Sequence, residues 1–340
     1  MTCNPQTTLP GNRPGRSAAH CGVLLATWLG ASVHAAAPVP ATDCIAVNRR
    51  QAAGLESQCY ALEIAGQRRT FRAYVPASRS RPLPVILVLH GGGGSGAGME
   101  WLTQRGFNRI ADRDGALIVY PDGIGKGWND GRSDLKSVAV RKHVDDLAFL
   151  RALPHELAVL APIDSRRLYS TGISNGGLMS YRLACDAADI FAAVAPVAAN
   201  LSTELARRCQ PARPIAIAIL EGTDDPIMPW SGGAIRVLLS TRGTVLSTGA
   251  TAARWLELDK CSAFDKPQLT DAVKSDGTAI AEYRAHCAGS AEVVLDEIRG
   301  GGHTWPGGVL YLPELLIGRV SRELDADEAV WRFFQQHALP

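Results

Sequence analysis

Apolar positions in this chain fall into short unbroken runs, separated by stretches in which they recur every three or four residues. Val85-Ile-Leu-Val-Leu-His90 is such a run and ends in glycines, which marks a strand buried on both faces. Ala116–Pro121, Arg167–Gly172, Phe191–Val197, Ile215–Leu220 and Glu292–Ile298 repeat the pattern, and Thr70–Val75 reads as an earlier strand. Helical periodicity occupies roughly 144–160, 175–187, 248–259 and 325–337. In the first of these Leu147, Leu150, Leu153 and Leu157 recur at helical spacing, and Pro154 is expected to kink or split the helix. Strands alternating with helices predict an α/β fold: a mostly parallel central sheet with helices on both faces. Such sheets bind ligands at the C-terminal ends of their strands.

The N-terminus breaks this rhythm. Arg13 and Arg16 precede a mildly apolar run from Cys21 to Val33, followed by small residues at Ala35 and Ala36. A charged start, a short apolar run and a small-residue cleavage site predict a signal peptide over 1–35. The run, at 13 residues, is too short to span a bilayer as a helix, and no later stretch has 18 unbroken apolar residues. Residues 36–69 are expected to form a lead-in and edge segment, and 70–340 the catalytic domain.

Composition removes several function classes. The 340 residues include 35 Lys plus Arg and 33 Asp plus Glu, a formal net charge of +2, which fits poorly with nucleic-acid binding. Cleavage at Ala35 would remove Cys3 and Cys21 and leave Cys44, Cys59, Cys185, Cys209, Cys261 and Cys287. No Cys-x-x-Cys is present, so neither a zinc site nor a thioredoxin-like pair is indicated. Six cysteines allow 15 connectivities that sequence cannot separate; pairing between chain neighbours is favoured here, as 44–59, 185–209 and 261–287. Each such loop would contribute about 3 kcal/mol in the chain-entropy account. The even count supports a secreted protein, extracellular or periplasmic.

Chemistry concentrates where strands end. Gly172-Ile-Ser-Asn-Gly176 fits Gly-x-Ser-x-Gly between a predicted strand and a predicted helix. The small flanking residues permit the tight turn that lifts the Ser174 hydroxyl clear of the sheet. A serine hydroxyl needs a base, and the motif's chain order is serine, acid, histidine. Only His286, His303 and His337 follow Ser174. His337 reads as a surface residue and His286 lies in a strand-like stretch. His303 follows three glycines directly after the last strand, so it is the expected base. The acid is expected after Ile215–Leu220, where Asp224 and Asp225 compete and Glu221 is an outsider. The oxyanion hole is expected from the Asn175 amide and from the glycine loop after His90. That loop lacks the Gly-Lys-Ser/Thr ending of a phosphate-binding loop.

Eight blocks in one order carry a resemblance: Leu89-His-Gly-Gly92, Tyr120-Pro-Asp-Gly123, Trp128-Asn-Asp-Gly-Arg132, Val144-Asp-Asp-Leu-Ala-Phe149, Tyr169 to Gly177, Phe191-Ala-Ala-Val-Ala-Pro196, Gly222-Thr-Asp-Asp-Pro226 and Gly302-His-Thr-Trp-Pro-Gly307. Over about 71–334 the chain resembles the secreted α/β-hydrolase esterases of the poly(3-hydroxybutyrate) depolymerase, feruloyl and acetylxylan esterase group. The resemblance implies an α/β-hydrolase fold and a Ser-His-Asp triad without metal or organic cofactor. It places the acid at Asp225 and leaves Asp224 where the family usually has Ala. It places the second oxyanion donor at Gly92. It makes the Cys185–Cys209 and Cys261–Cys287 disulfides plausible. Trp230 stands where the family often has Tyr, and Ile173 where Leu is more usual.

Trp128, Trp230 and Trp305 are the candidate substrate-binding aromatics, two of them flanking the acid and base loops. Trp101, Trp255 and Trp331 read as core. The substrate is expected to be a small or oligomeric ester, with no nucleic-acid partner and no membrane span. A non-catalytic hydrolase-fold binding protein at the cell surface and a secreted serine peptidase on the same fold are the alternatives.

Overall fold

The computed structural model describes residues 38–44, 57–64, 66–77, 81–134 and 136–340, all within one compact unit, 34–340. The predicted signal peptide, and part of the lead-in, lie outside the described residues.

Thirteen strands follow in chain order: β1 Val39–Pro40, β2 Gln58–Ile64, β3 Gln67–Tyr74, β4 Leu83–Leu89, β5 Leu117–Pro121, β6 Ile163–Ile173, β7 Ala193–Val197, β8 Ala216–Gly222, β9 Gly233–Val237, β10 Ser240–Val245, β11 Gln268–Thr270, β12 Ala279–His286 and β13 Glu292–Arg299. Eleven of them form one sheet, in the order β1-β2-β3-β5-β4-β6-β7-β8-β13-β12-β11. The central six, β5-β4-β6-β7-β8-β13, run parallel. Antiparallel strands extend the sheet at both edges. Each predicted strand is present, within a few residues of its expected ends. The hairpin β2–β3, in full register from Gln58↔Ala73 to Ile64↔Gln67, runs across the boundary expected at 69–70.

The apolar runs are explained by burial on both faces. Along β4, Val85, Leu87 and Leu89 join one apolar cluster, and Ile86 and Val88 join the other. The first cluster is closed by the helices Asp146–Glu156, Asn175–Asp186 and Thr248–Leu258, through Phe149, Leu178 and Trp255. The second is closed by Gly96–Leu102, Gly106–Ile110 and Ala326–Phe334, through Met99, Phe107 and Phe334. The helix expected over 144–160 starts at an Asp145 side-chain cap, runs through Pro154 and stops at Glu156. A 3₁₀ turn, Leu157–Val159, completes it, so the proline shortens the helix instead of bending it mid-length. The short helices Gly96–Leu102 and Gly106–Ile110 and the hairpin β9–β10 are absent from the sequence expectation.

Two features tie the layers together. Arg69 on β3 and Asp146 at the start of its helix form a fully buried ion pair at 2.6 Å, with the guanidinium stacked 4.0 Å over the Phe149 ring. The second Asp146 oxygen accepts from the Asn129 amide at 2.7 Å. Loss of either partner alone would strand a buried charge, at a cost of about 3–5 kcal/mol. The disulfides join chain neighbours: Cys44–Cys59, Cys185–Cys209 and Cys261–Cys287. His337, expected at the surface, is instead buried against Phe333, with Nδ1 3.1 Å from the Ser290 carbonyl.

Candidate active site

A cavity of about 750 Å³ opens at the C-terminal ends of β4 and β6, where the glycine loop after His90 meets Ser174 and His303. Ser174 sits at the junction of β6 and the helix Asn175–Asp186, half-buried, with φ 57° and ψ −119°. This left-handed backbone costs a non-glycine residue energy and is held by its surroundings. The Ser174 amide donates to the Val197 carbonyl at 2.9 Å, and its carbonyl accepts from Leu178 at 2.8 Å. The turn closes because its neighbours lack side chains: a Cβ on Gly176 would lie 2.3 Å from the Leu89 carbonyl oxygen, and one on Gly172 2.6 Å from it. The Ser174 side chain makes no capping bond to the helix, so its hydroxyl has no structural task there.

The glycine loop packs on this turn. Gly91 lies against Ile173 and Ser174, and a Cβ on Gly92 would sit 3.8 Å from that of Asn175. Asn175 provides the first amide of its helix, a position with no intrahelical acceptor. Its side chain is held by the Trp128 backbone, accepting from the amide at 2.7 Å and donating to the carbonyl at 3.2 Å. It also donates to Asp130, the buried partner of Arg132.

His90 anchors the same loop from below. Its Nε2 accepts from the Gly123 amide at 2.9 Å and its Nδ1 donates to the Gly91 carbonyl at 2.8 Å, so this imidazole is neutral. Burial lowers its pKa from the ordinary 6.5 to about 4. Between those two values the unfolded chain binds a proton that the folded chain refuses. Stability is therefore fully present above about pH 6.5 and declines as the pH falls towards about 4, by on the order of 3 kcal/mol. We expect the gap in unfolding free energy between the native chain and His90→Gln to shrink across that window in urea titrations. A gap that stays constant would show that His90 is not the source.

The loops after β8 and β13 meet through close backbone contact. A Cβ on Gly222, the last residue of β8, would lie 2.3 Å from the Gly301 carbonyl oxygen, so only glycine lets the loops approach. His303 is 3 % exposed and its Nδ1 lies 2.6 Å from Asp225 Oδ2. Asp225 Oδ1 accepts from the amides of Ile227 and Met228, both at 2.7 Å, which fixes the carboxylate. Asp224 is exposed and accepts from the Thr223 hydroxyl, away from the imidazole. Glu221 is fully buried and makes no bond to His303; burial, then the nearby charge of Asp225, hold its pKa well above the carboxylate range. The Tyr311 hydroxyl donates to the His303 carbonyl at 2.9 Å and steadies that loop from outside.

The aromatic expectations need correction. Trp128 is completely buried, its indole N–H donating to the His90 carbonyl at 2.9 Å and its ring 4.9 Å from that of His90. Trp305 is buried too, donating to Asp327 at 2.9 Å and packing on Phe107. Both are framework beneath the cavity, because each indole N–H finds its acceptor inside the protein. Trp230 is half-buried and outside the cavity lining. Trp101, read as core, lines the cavity with Met99, Leu102 and Tyr311. Sequence reasoning also passed over Lys126, Arg132, Lys136 and Arg242 in the lining. Lys126 had one available signal, a glycine-rich loop directly after the C-terminal end of β5.

No family model matches the chain. It is 32% identical over 302 residues to NocK of Nocardia uniformis subsp. tsuyamanensis, an esterase by name, covering 84% of each chain. It is 30% identical over 214 residues to feruloyl esterase B of Piromyces equi, covering 61% of this chain but 37% of that enzyme. The chain thus spans little more than a third of that relative's length. Among solved structures, acetyl xylan esterase from Aspergillus awamori aligns over 79% of this chain and 94% of its own, with a TM-score of 0.49 and 12% identity.

Proposed function

We propose that this chain, which belongs to the α/β-hydrolase esterases and is a carboxylic ester hydrolase, works by acyl transfer through Ser174, His303 and Asp225. The observation that carries the reading is the 2.6 Å bond between His303 Nδ1 and Asp225, in a cavity that His303 shares with Ser174. Asp225 accepts, so Nδ1 carries the proton and Nε2 is left with a lone pair for the serine hydroxyl. Ser174 attacks the ester carbonyl as His303 takes its proton, and the amides of Asn175 and Gly92 receive the oxyanion. His303 then protonates the departing alcohol. Water, deprotonated by the same imidazole, attacks the acyl-enzyme and releases the acid and Ser174.

The lining and the feruloyl esterase names among the relatives support a reading of the substrate class. Met99, Trp101 and Tyr311 offer an apolar and aromatic surface, consistent with a feruloyl or polyhydroxybutyrate-type acyl group. Export is part of the same reading. Three disulfides persist in an oxidising compartment, and no helix among the described residues is long and apolar enough to cross a membrane. A fluorophosphonate probe with peptide mapping tests the nucleophile, and the adduct is expected on Ser174. Methyl ferulate, hydroxybutyrate oligomers, p-nitrophenyl esters and peptide p-nitroanilides, run side by side, test the class. Esters should be cleaved and anilides left essentially untouched. An adduct elsewhere would overturn the nucleophile, and preferred anilide cleavage would make the chain a peptidase.

A further inference from the structure

The lining of the cavity holds both apolar residues and cations. Met99, Trp101, Leu102, Tyr311 and Leu312 make one part, knitted together by the bond from the Val309 amide to the Leu102 carbonyl. The rest carries Lys126, Arg132, Lys136 and Arg242 among further apolar side chains such as Val138 and Ile235, with Asp134 as the sole carboxylate of the lining. Two of these cations are already matched. Arg132 pairs with buried Asp130 at 2.8 Å and donates to the Arg242 carbonyl at 2.6 Å. Arg242 lies 3.7 Å from Asp134. Lys126 and Lys136 are exposed at the mouth and have no ion-pair partner among the described residues. The cavity therefore presents two uncompensated positive charges beside a reaction centre whose acid, Asp225, is sealed from solvent and bonded to His303.

These lysines are held near each other. Lys126 adopts φ 61°, a left-handed backbone that glycine would take at less cost. Its carbonyl accepts from the Gly93 amide at 2.7 Å and its amide donates to the Gly123 carbonyl at 3.0 Å, which ties it to the glycine loop. Gly125 is packed so closely on Val138 that a Cβ would lie 2.4 Å from that side chain, which brings the Lys126 loop against the segment after Lys136. The Lys136 amide donates to Asp134 at 3.0 Å.

We propose that Lys126 and Lys136 form an anion subsite, so that the preferred ester carries a carboxylate a few bonds from the scissile group together with an apolar or aromatic portion. This rests on the Ser174 reading for the chemistry and adds the recognition. Two exposed lysines facing one carboxylate correspond to a preference of about ten-fold at low salt, weakened as ionic strength rises.

The test measures kcat/KM for matched charged and neutral esters. Mono-p-nitrophenyl adipate against p-nitrophenyl heptanoate places the charge on the acyl side. Butyryl 3-hydroxybenzoate against its methyl ester places it on the alcohol side. We expect the charged member of at least one pair to be preferred about ten-fold at 20 mM salt and less at 500 mM. That ratio should fall to about one in Lys126→Ala/Lys136→Ala and survive in Lys126→Arg/Lys136→Arg. Neutral members preferred in both pairs, or a ratio untouched by the alanine changes, would overturn the subsite. Failure of the Ser174 reading looks different: the neutral esters would then be cleaved as well by Ser174→Ala as by the native chain.

Discussion

Replacing Ser174 by alanine is expected to lower kcat/KM on p-nitrophenyl butyrate by about 10⁴- to 10⁶-fold, the range for losing the nucleophile of a cooperating triad. The fold should be indifferent. The side chain makes no helix-capping bond, and the residue is held by its backbone bonds to Val197 and Leu178, which alanine retains. Alanine also meets the left-handed backbone at about the cost serine does, since both carry one Cβ. The unfolding midpoint should therefore move by no more than about 2 °C. The two readouts together make the result specific. Lost activity with a lowered midpoint would trace to the turn, whereas lost activity at an unchanged midpoint traces to the hydroxyl. A variant keeping most of its activity would end the nucleophile assignment.

How much of this site could be read from the sequence depends on what each residue needs. Ser174 is legible because its strained turn requires glycines at 172 and 176, and backbone requirements leave a local mark. His303 is legible for a similar reason: it follows a glycine loop directly after the strand Glu292–Arg299. β4 announces itself because both faces are buried, which removes every polar residue between Leu83 and Leu89. The hairpin β9–β10 does not: its burial is shallow and irregular, and Ser240–Val245 carries polar residues at most positions. The tryptophans show the limit most clearly. Trp128 and Trp305 are near proposed site residues in sequence, yet their indoles turn inward to the His90 carbonyl and Asp327. Trp101, on a short helix with no sequence landmark, reaches the cavity. Which way a side chain points follows from the partner available for its polar atom, and that partner is set by tertiary contacts.

The choice between Asp224 and Asp225 leads to the second large effect. Asp225→Asn is expected to lower kcat by about 10³- to 10⁴-fold near neutral pH, and Asp224→Asn to leave it within about two-fold. Asp225 Oδ1 takes two backbone N–H donors, from Ile227 and Met228, and an asparagine there would keep its carbonyl oxygen on those donors. Its NH₂ would then face His303 Nδ1, where the carboxylate oxygen stood at 2.6 Å. Two donors cannot share that contact, so the imidazole must move its proton to Nε2 and accept through Nδ1. An imidazole protonated at Nε2 cannot take the Ser174 proton. The lost electrostatic support for the imidazolium adds to the deficit. Asp224 points to the Thr223 hydroxyl in solvent, so its amide changes neither tautomer nor charge at the base. ¹⁵N NMR of the imidazole provides the readout that a structural defect would not reproduce: the protonated nitrogen should switch from Nδ1 to Nε2 in Asp225→Asn alone. If Asp224→Asn carries the large loss instead, the acid is misplaced, and the His303–Asp225 bond is structural.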